Sequence, residues 1–386
     1  MIRTALVGAS ILTPDGWRDD CALIVAGARV EDVVPVAGLG GGIARTALDG
    51  GFLIPGFIDT QVNGGGGALL NDSPTAATIA VIAGAHRRFG TTGLLPTLIS
   101  DDLDVVAAAI AAVDEAITAG VPGVLGIHIE GPFLNAAKRG IHDDAKFRQV
   151  DAGAIALLSS LHRGKTLVTL APELAAPGMI AALVAKGVIV AAGHSLATYN
   201  DMQRAFAEGL TGITHLFNAM SQLESRAPGL VGAALESKQS ICGIIADGHH
   251  VHPAALRIAH AARGGEGLML VTDAMPSVGA SSGGAESTFT IGGHVITVKD
   301  GVCRAADGTL AGSDLNMAAA LRNAMAFMDL DLAAASAMAS AVPAQFLGLG
   351  QERGVLAAGL QADLVHLDER HHVAATWIAG VRESAQ

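Results

Sequence analysis

The residues of this 386-residue chain that could do chemistry are carboxylates and imidazoles. Glu130, in HIEGP, His194, in GHS, and His215, in THLFNAM, each end a different apolar run. One carboxylate and two imidazoles, with a position left open for water, form a catalytic zinc arrangement. Sequence spacing says little here, because three separate strand ends must converge. Asp273, in VTDAM, ends a fourth run. Beside a metal site its carboxylate could take a proton from water and return it to a leaving group. Asp at such a point could equally cap a helix. The segment HLFNAMSQLESRAPG offers Asn218, a run of backbone N–H groups and Arg226, whose guanidinium could clamp a phosphate or carboxylate. Asp247-Gly248-His249-His250 brings two adjacent imidazoles to the end of another run, and GTLAGS (308–313) reads as a small loop able to approach a ligand closely.

The elements that must position these residues are legible. Eight short apolar runs recur at 51–64, 91–100, 124–132, 165–173, 188–195, 212–220, 241–250 and 268–275. Near-continuous apolar strands are those of parallel sheets, buried on both faces. Most of the gaps can hold a helix, most clearly Asp101 to Gly120. Eight alternating units predict a (β/α)8 barrel, an α/β fold whose chemistry sits at the C-terminal ends of the strands. Those ends carry Asp59, Gln61, Asn63, Thr97, His128, Glu130, Glu173, His194, His215, Asp247, His250 and Asp273. Thr97 and Asn63 are adequately explained as residues that mark where a strand gives way to a loop.

Residues 1–50 and 355–386 read instead as short strands broken by turns, and are expected to pair in a small β-domain outside the barrel. The predicted division is 1–54 with 355–386 for that domain and 55–354 for the barrel. The Ser/Gly-rich stretch 277–287 reads as a flexible loop and a candidate lid.

Composition excludes several classes. Hydrophobic residues make up 51% and charged residues 16%, too apolar for disorder. A net charge of −12 argues against nucleic-acid binding. No apolar run reaches the ~18 residues of a membrane span. Three scattered cysteines give neither a disulfide framework nor a CxxC pair, which points to a reducing, cytoplasmic setting. Phosphate-binding P-loop, dinucleotide-binding and nucleophile-elbow motifs are missing.

The motifs HIEGPFLN (128–135), GHS, THLFNAM, ADGHHV (246–251), VTDAM, LAGS and the C-terminal ADLV-x-LD pattern together resemble the N-acetylglucosamine-6-phosphate deacetylase family of the amidohydrolase superfamily. The resemblance spans 52 to 380. It implies a distorted (β/α)8 TIM barrel with a small β-sandwich built from both termini, in a homodimer. It implies metal ligands at Glu130, His194 and His215, and Asp273 as acid and base. It implies substrate contacts at Ile141, His142, Asn218, Ala219, Arg226, the 247–250 segment, and Leu310, Ala311 and Gly312. Arg226 and His250 are expected to reach a neighbouring subunit's phosphate site. The expected reaction is hydrolysis of the acetamide of N-acetylglucosamine 6-phosphate; the galactosamine epimer, or an inactive sugar-phosphate sensor, are the alternatives. His142 and His250 are both candidates for stabilising the oxyanion. Many amidohydrolases carry HxH after the first strand; Gln61 and Asn63 stand there instead, neutral amides that bind zinc poorly. One divalent metal per subunit is therefore expected, zinc first, iron or another as alternatives.

Overall fold

The computed structural model describes residues 3–280 and 286–384. Eight parallel strands form one sheet in sequence order: β1 (Phe57–Val62), β2 (Thr91–Ile99), β3 (Gly126–Glu130), β4 (Lys165–Leu170), β5 (Ile189–Ala192), β6 (Gly212–Ile213), β7 (Ile241–Ile244) and β8 (Leu268–Leu270). Each falls inside one of the eight apolar runs. Helices such as Ala76–Arg87 and Leu103–Thr118 alternate with the strands, and their buried Ile, Val and Ala side chains share one core with the strands' outer faces. The α/β barrel read from the sequence is the fold observed.

The register aligns the strand ends. Thr97 of β2 stands beside His128, Ile99 beside Glu130, and Glu130 beside Thr169 of β4. His128 and Glu130 therefore face the barrel axis from successive layers, because side chains on a strand repeat every second residue.

The first apolar run divides between two sheets. Phe52–Pro55 pairs antiparallel with Leu364–Leu367 in a six-stranded sheet that draws strands from both ends of the chain, whereas β1 belongs to the barrel. Gly56 marks the switch, where a Cβ would lie 2.1 Å from the Thr92 hydroxyl oxygen. A four-stranded sheet of Arg3–Val7, Cys21–Ala26, Arg29–Pro35 and Ala44–Ala47 adds the rest of the N-terminal segment.

A second four-stranded sheet was not anticipated. Ser287–Ile291, His294–Lys299, Val302–Ala305 and Leu310–Ser313 form an antiparallel meander after β8. The segment FTIGGHVITVKDGV alternates and carries Gly-Gly and Asp-Gly turns, the marks of hairpins. LAGS is thus an edge strand and not the loop expected. Ile291, Ile296 and Val298 pack against Ile99, Ile141 and Met275, so this sheet walls one side of the barrel mouth. Of the suggested lid 277–287, residues 281–285 lie outside the described residues. Among the described residues no helix is long and apolar enough to cross a membrane.

His86, on the helix Ala76–Arg87, is fully buried with Nε2 2.9 Å from the Gly64 carbonyl. Burial pushes its pKa from 6.5 down to about 4. The folded state therefore holds it neutral, while the unfolded chain protonates it near 6.5. Its contribution to stability is complete above about pH 6.5 and is lost as pH falls from there toward 4, amounting to ~3 kcal/mol at about 1.4 kcal/mol per unit. In His86→Gln the melting temperature should fall less steeply between pH 7 and 4.5 than in the parent. Equal slopes in the two proteins would assign the acid sensitivity elsewhere.

Candidate metal centre and active site

Glu130 is the last residue of β3, and His194 and His215 lie two residues beyond β5 and β6. All three side chains are buried. Their ligand atoms converge. Glu130 Oε1 lies 3.2 Å from His194 Nε2 and 3.0 Å from His215 Nε2, and the two Nε2 atoms are 3.1 Å apart. Among the described residues this is the one grouping of three His, Cys, Asp or Glu side chains whose ligand atoms meet in this way.

The fit to a metal can be judged from this geometry. A tetrahedral zinc with ligands about 2.0–2.1 Å away has ligand–ligand edges of about 3.3–3.4 Å. The three separations fall 0.1–0.4 Å short of those edges, so a small outward adjustment of the side chains would seat the ion. His194 Nδ1–H donates to the Lys138 carbonyl at 2.8 Å, which leaves its Nε2 lone pair for a ligand. Burial would raise the Glu130 carboxyl, yet the two imidazoles set against it hold it well below the usual range. Two nitrogens and one oxygen suit zinc or iron.

The backbone here is unusual. His194, His215 and Asp273 have φ of +48°, +30° and +52°, and Phe217 and Ala219 are positive as well. Left-handed backbone at non-glycine residues clusters where a site dictates geometry. Beside His194, a Cβ on Gly193 would meet Thr169 Cγ2 at 2.8 Å and Thr214 Cβ at 2.9 Å, so GHS needs its glycine. Glu173 holds the same turn, accepting from Ser195 Oγ at 2.6 Å, Leu196 N–H at 2.7 Å and Asn135 Nδ2 at 2.9 Å.

Asp273 lies three residues past β8. Its Oδ1 accepts from Asn63 Nδ2 at 2.6 Å and Gln61 Nε2 at 3.2 Å. The same Gln61 amide donates to Glu130 Oε2 at 3.0 Å. It thereby bridges two carboxylates that would otherwise repel. Burial, and then the charge of Glu130, push Asp273 up to about 6. Asp273 does not cap a helix. Gln61 and Asn63, set apart as poor ligands, turn their amide nitrogens to carboxylates, and Asn63 is more than a strand-end marker.

A cavity of about 320 Å³ opens over this cluster, within the range of small-ligand sites. Of the expected contact residues, Ile141, His142, Asn218, Ala219, His250, Leu310 and Gly312 line it; Ala311 is buried behind them. His250 lines this cavity as well. Asp247 holds it there, with Oδ2 2.6 Å from Nδ1, while Oδ1 accepts the His249 and His250 N–H groups. Gly248 and His249 shape that turn but do not line the cavity. Arg226 is also apart from it, in a separate groove with Leu223, Tyr199 and Ile258.

His142 Nδ1 accepts from the Ser100 N–H at 3.3 Å and pairs with the Ser100 hydroxyl at 2.8 Å, so its proton sits on Nε2. Burial, and then His194, depress its pKa well below 6.5, which makes it a neutral donor. His128 is a layer deeper, bonded to Thr169 at 2.7 Å, and burial lowers it to about 4. Sequence reasoning missed Lys138, which lines the cavity from a short turn with no motif, and did not single out Thr309 within GTLAGS, which lines it too.

The amidohydrolase family model matches residues 52–382. An N-acetylgalactosamine-6-phosphate deacetylase from Shewanella sp. (strain ANA-3) is 45% identical, covering 97% of this chain and 94% of that protein. The crystal structure of N-acetylglucosamine-6-phosphate deacetylase from Pasteurella multocida superposes with a TM-score of 0.95 at 32% identity, over 99% of this chain and 100% of that one. The Mycobacterium smegmatis N-acetyl-D-glucosamine-6-phosphate deacetylase, in complex with N-acetyl-D-glucosamine-6-phosphate, matches with a TM-score of 0.88 at 33% identity, over 99% and 98% of the two chains.

Proposed function

This chain belongs to the amidohydrolase family, and from that premise we propose that it is an N-acetylglucosamine-6-phosphate deacetylase, hydrolysing the acetamide to glucosamine 6-phosphate and acetate. The observation that carries this reading is the convergence of Glu130, His194 and His215 beneath a sugar-sized cavity, with Asp273 joined to Glu130 through Gln61.

Glu130, His194 and His215 would hold a single divalent ion, zinc first. Such an ion, when bound, polarises a carbonyl and acidifies water. The protein's own groups supply the rest. Asp273 takes the proton of the attacking water and returns it to the departing amine, because both its amide partners use Oδ1 and Oδ2 is left without a protein donor among the described residues. His142 donates from Nε2–H to the developing oxyanion, a role a neutral, buried donor performs without reorganisation. His250 presents Nε2 to the cavity and is assigned to the sugar phosphate. The Asn218–Ala219 and Leu310–Gly312 backbones and Ile141 orient the sugar.

A second copy is placed against the groove that holds Arg226, where Leu223 and Ile258 are 55% and 61% exposed. Arg226 would then serve the partner's phosphate. The three free cysteines fit a cytoplasmic enzyme. Residues 1–54 with 355–386 are taken as the β-domain and 55–354 as the barrel. Nothing favours an inactive sensor, since each of the four chemical residues is present and oriented.

The galactosamine epimer is the second reading, carried by the Shewanella relative. Both sugar phosphates should be offered to the purified protein, with acetate release as the readout. We expect turnover of the glucosamine epimer with the larger kcat/KM, and little turnover of unphosphorylated sugar. A larger kcat/KM for the galactosamine epimer selects the second reading; no acetate from either overturns both.

A further inference from the structure

The barrel closes unevenly. Neighbouring strands from β1 through β8 are joined by backbone ladders, but among the described residues β8 itself has no ladder to β1, and the segment just past it meets β1 through one isolated bridge, Val62–Ala274. Below that bridge a side chain takes the place of the ladder. Asp59, on β1 and fully buried, accepts the Thr272 hydroxyl at 2.5 Å on Oδ2 and the Thr272 N–H at 3.3 Å on Oδ1. Its Oδ1 also receives the Gln61 N–H at 3.2 Å.

Thr272 directly precedes Asp273, and the backbone of both residues is fully held. The Thr272 carbonyl accepts Ser313 Oγ at 2.5 Å. The Asp273 N–H donates to the Gln61 carbonyl at 2.9 Å, and its carbonyl accepts the Ser313 N–H at 2.9 Å. Thr272 N–H has the Asp59 carboxylate. Asp273 needs such restraint, because its φ of +52° is left-handed. Backbone of this kind persists where surroundings over-determine it.

We propose that Asp59 is a positioning residue: its carboxylate grips Thr272 by hydroxyl and N–H, and through Thr272 it fixes the backbone that aims Asp273 into the cavity. A purely structural seam would be better built from apolar side chains, since a buried carboxylate is costly to retain. Burial pushes Asp59 up to about 7, the direction that such a cost dictates. The inference rests on the reading of Asp273 as the proton carrier.

Asp59→Asn keeps the size but turns an NH2 toward Thr272's donors. It should lower kcat about 30- to 100-fold, the scale of a misplacement near 1 Å, with KM within about 3-fold. Metal content per chain should match the parent. In an Asp273→Asn background, the same change should alter the residual rate by less than about 3-fold, because the two residues act as one unit. An unchanged kcat, or the same loss in both backgrounds, overturns the proposal. If Asp59→Asn shows no cooperative melt, Thr272→Val, which removes the hydroxyl donor, is judged by the same two outcomes. Thr272→Ser keeps that donor and should stay within about 3-fold of the parent. An Asp273→Asn enzyme with full kcat would instead overturn the reading of Asp273. Rate lost in Asp273→Asn and kept in Asp59→Asn removes Asp59 alone.

Discussion

Asp273→Asn is expected to lower kcat by about 10³-fold or more, near the upper part of what a positioned acid–base group contributes, with KM for the sugar phosphate changed by less than about 3-fold. The amide keeps the shape of the side chain but can neither take a proton from water nor return one to the amine. The loss should therefore appear in the chemical step. The parent enzyme adds a pH signature. Burial and Glu130 push Asp273 up to about 6, and the base must be ionised to act. Activity should then fall as pH drops through a limb at or below about 6, since a cation held by Glu130 would pull that value down. Acetate release across pH 4.5 to 8 measures the limb, and Asp273→Asn should lack it. A retained limb with full kcat would move the acid–base role to another group.

Glu130→Gln should cost the metal itself. The carboxylate is the single anionic donor in the cluster, lying 3.0 Å from His215 Nε2 and 3.2 Å from His194 Nε2. A neutral amide leaves two imidazoles to hold the ion. Losing an outer-shell partner costs about 10- to 100-fold in affinity, and losing a ligand should cost more. Elemental analysis of natively purified protein should find about one equivalent in the parent and a small fraction of that in Glu130→Gln, with activity lost in proportion. Chelator treatment of the parent should reproduce the loss, and added divalent ion should restore it only there. Full metal content in Glu130→Gln would displace Glu130 from the ligand set. Full activity of metal-free parent would remove the metal from the reaction.

These expectations rest on features that differ in how readable they were. The eight strands were legible because parallel strands buried on both faces must be nearly continuous apolar runs, and each run fell into place. Glu130, His194, His215 and Asp273 were legible because a barrel gathers strand ends at one mouth. Asn63 was misjudged because its partner, Asp273, is 210 residues away. Asp59 and Thr272 are 213 residues apart, and neither the strand end that carries Asp59 nor the VTDAM motif that carries Thr272 says that the two meet. The meander of 287–313 was passed over beside the Ser/Gly-rich stretch, although its alternation and turns were present. His250 and Arg226 looked alike as residues expected at a phosphate site, and only the fold put one in the cavity and the other in an outer groove.

The division has a physical basis. Strand periodicity, turn chemistry and the polarity of strand ends are local, so residue order settles the barrel and the inventory of reactive groups. Which nitrogen of an imidazole is bare is not local. Of fourteen histidines, His194 offers Nε2 because the Lys138 carbonyl takes its Nδ1 proton, and His142 keeps its proton on Nε2 because Ser100 donates to Nδ1. Those partners arrive from other loops only when the barrel closes. Tertiary structure thus decided the direction of each hydrogen bond, and with it which side chain can bind an ion, which can donate, and which only holds another in place.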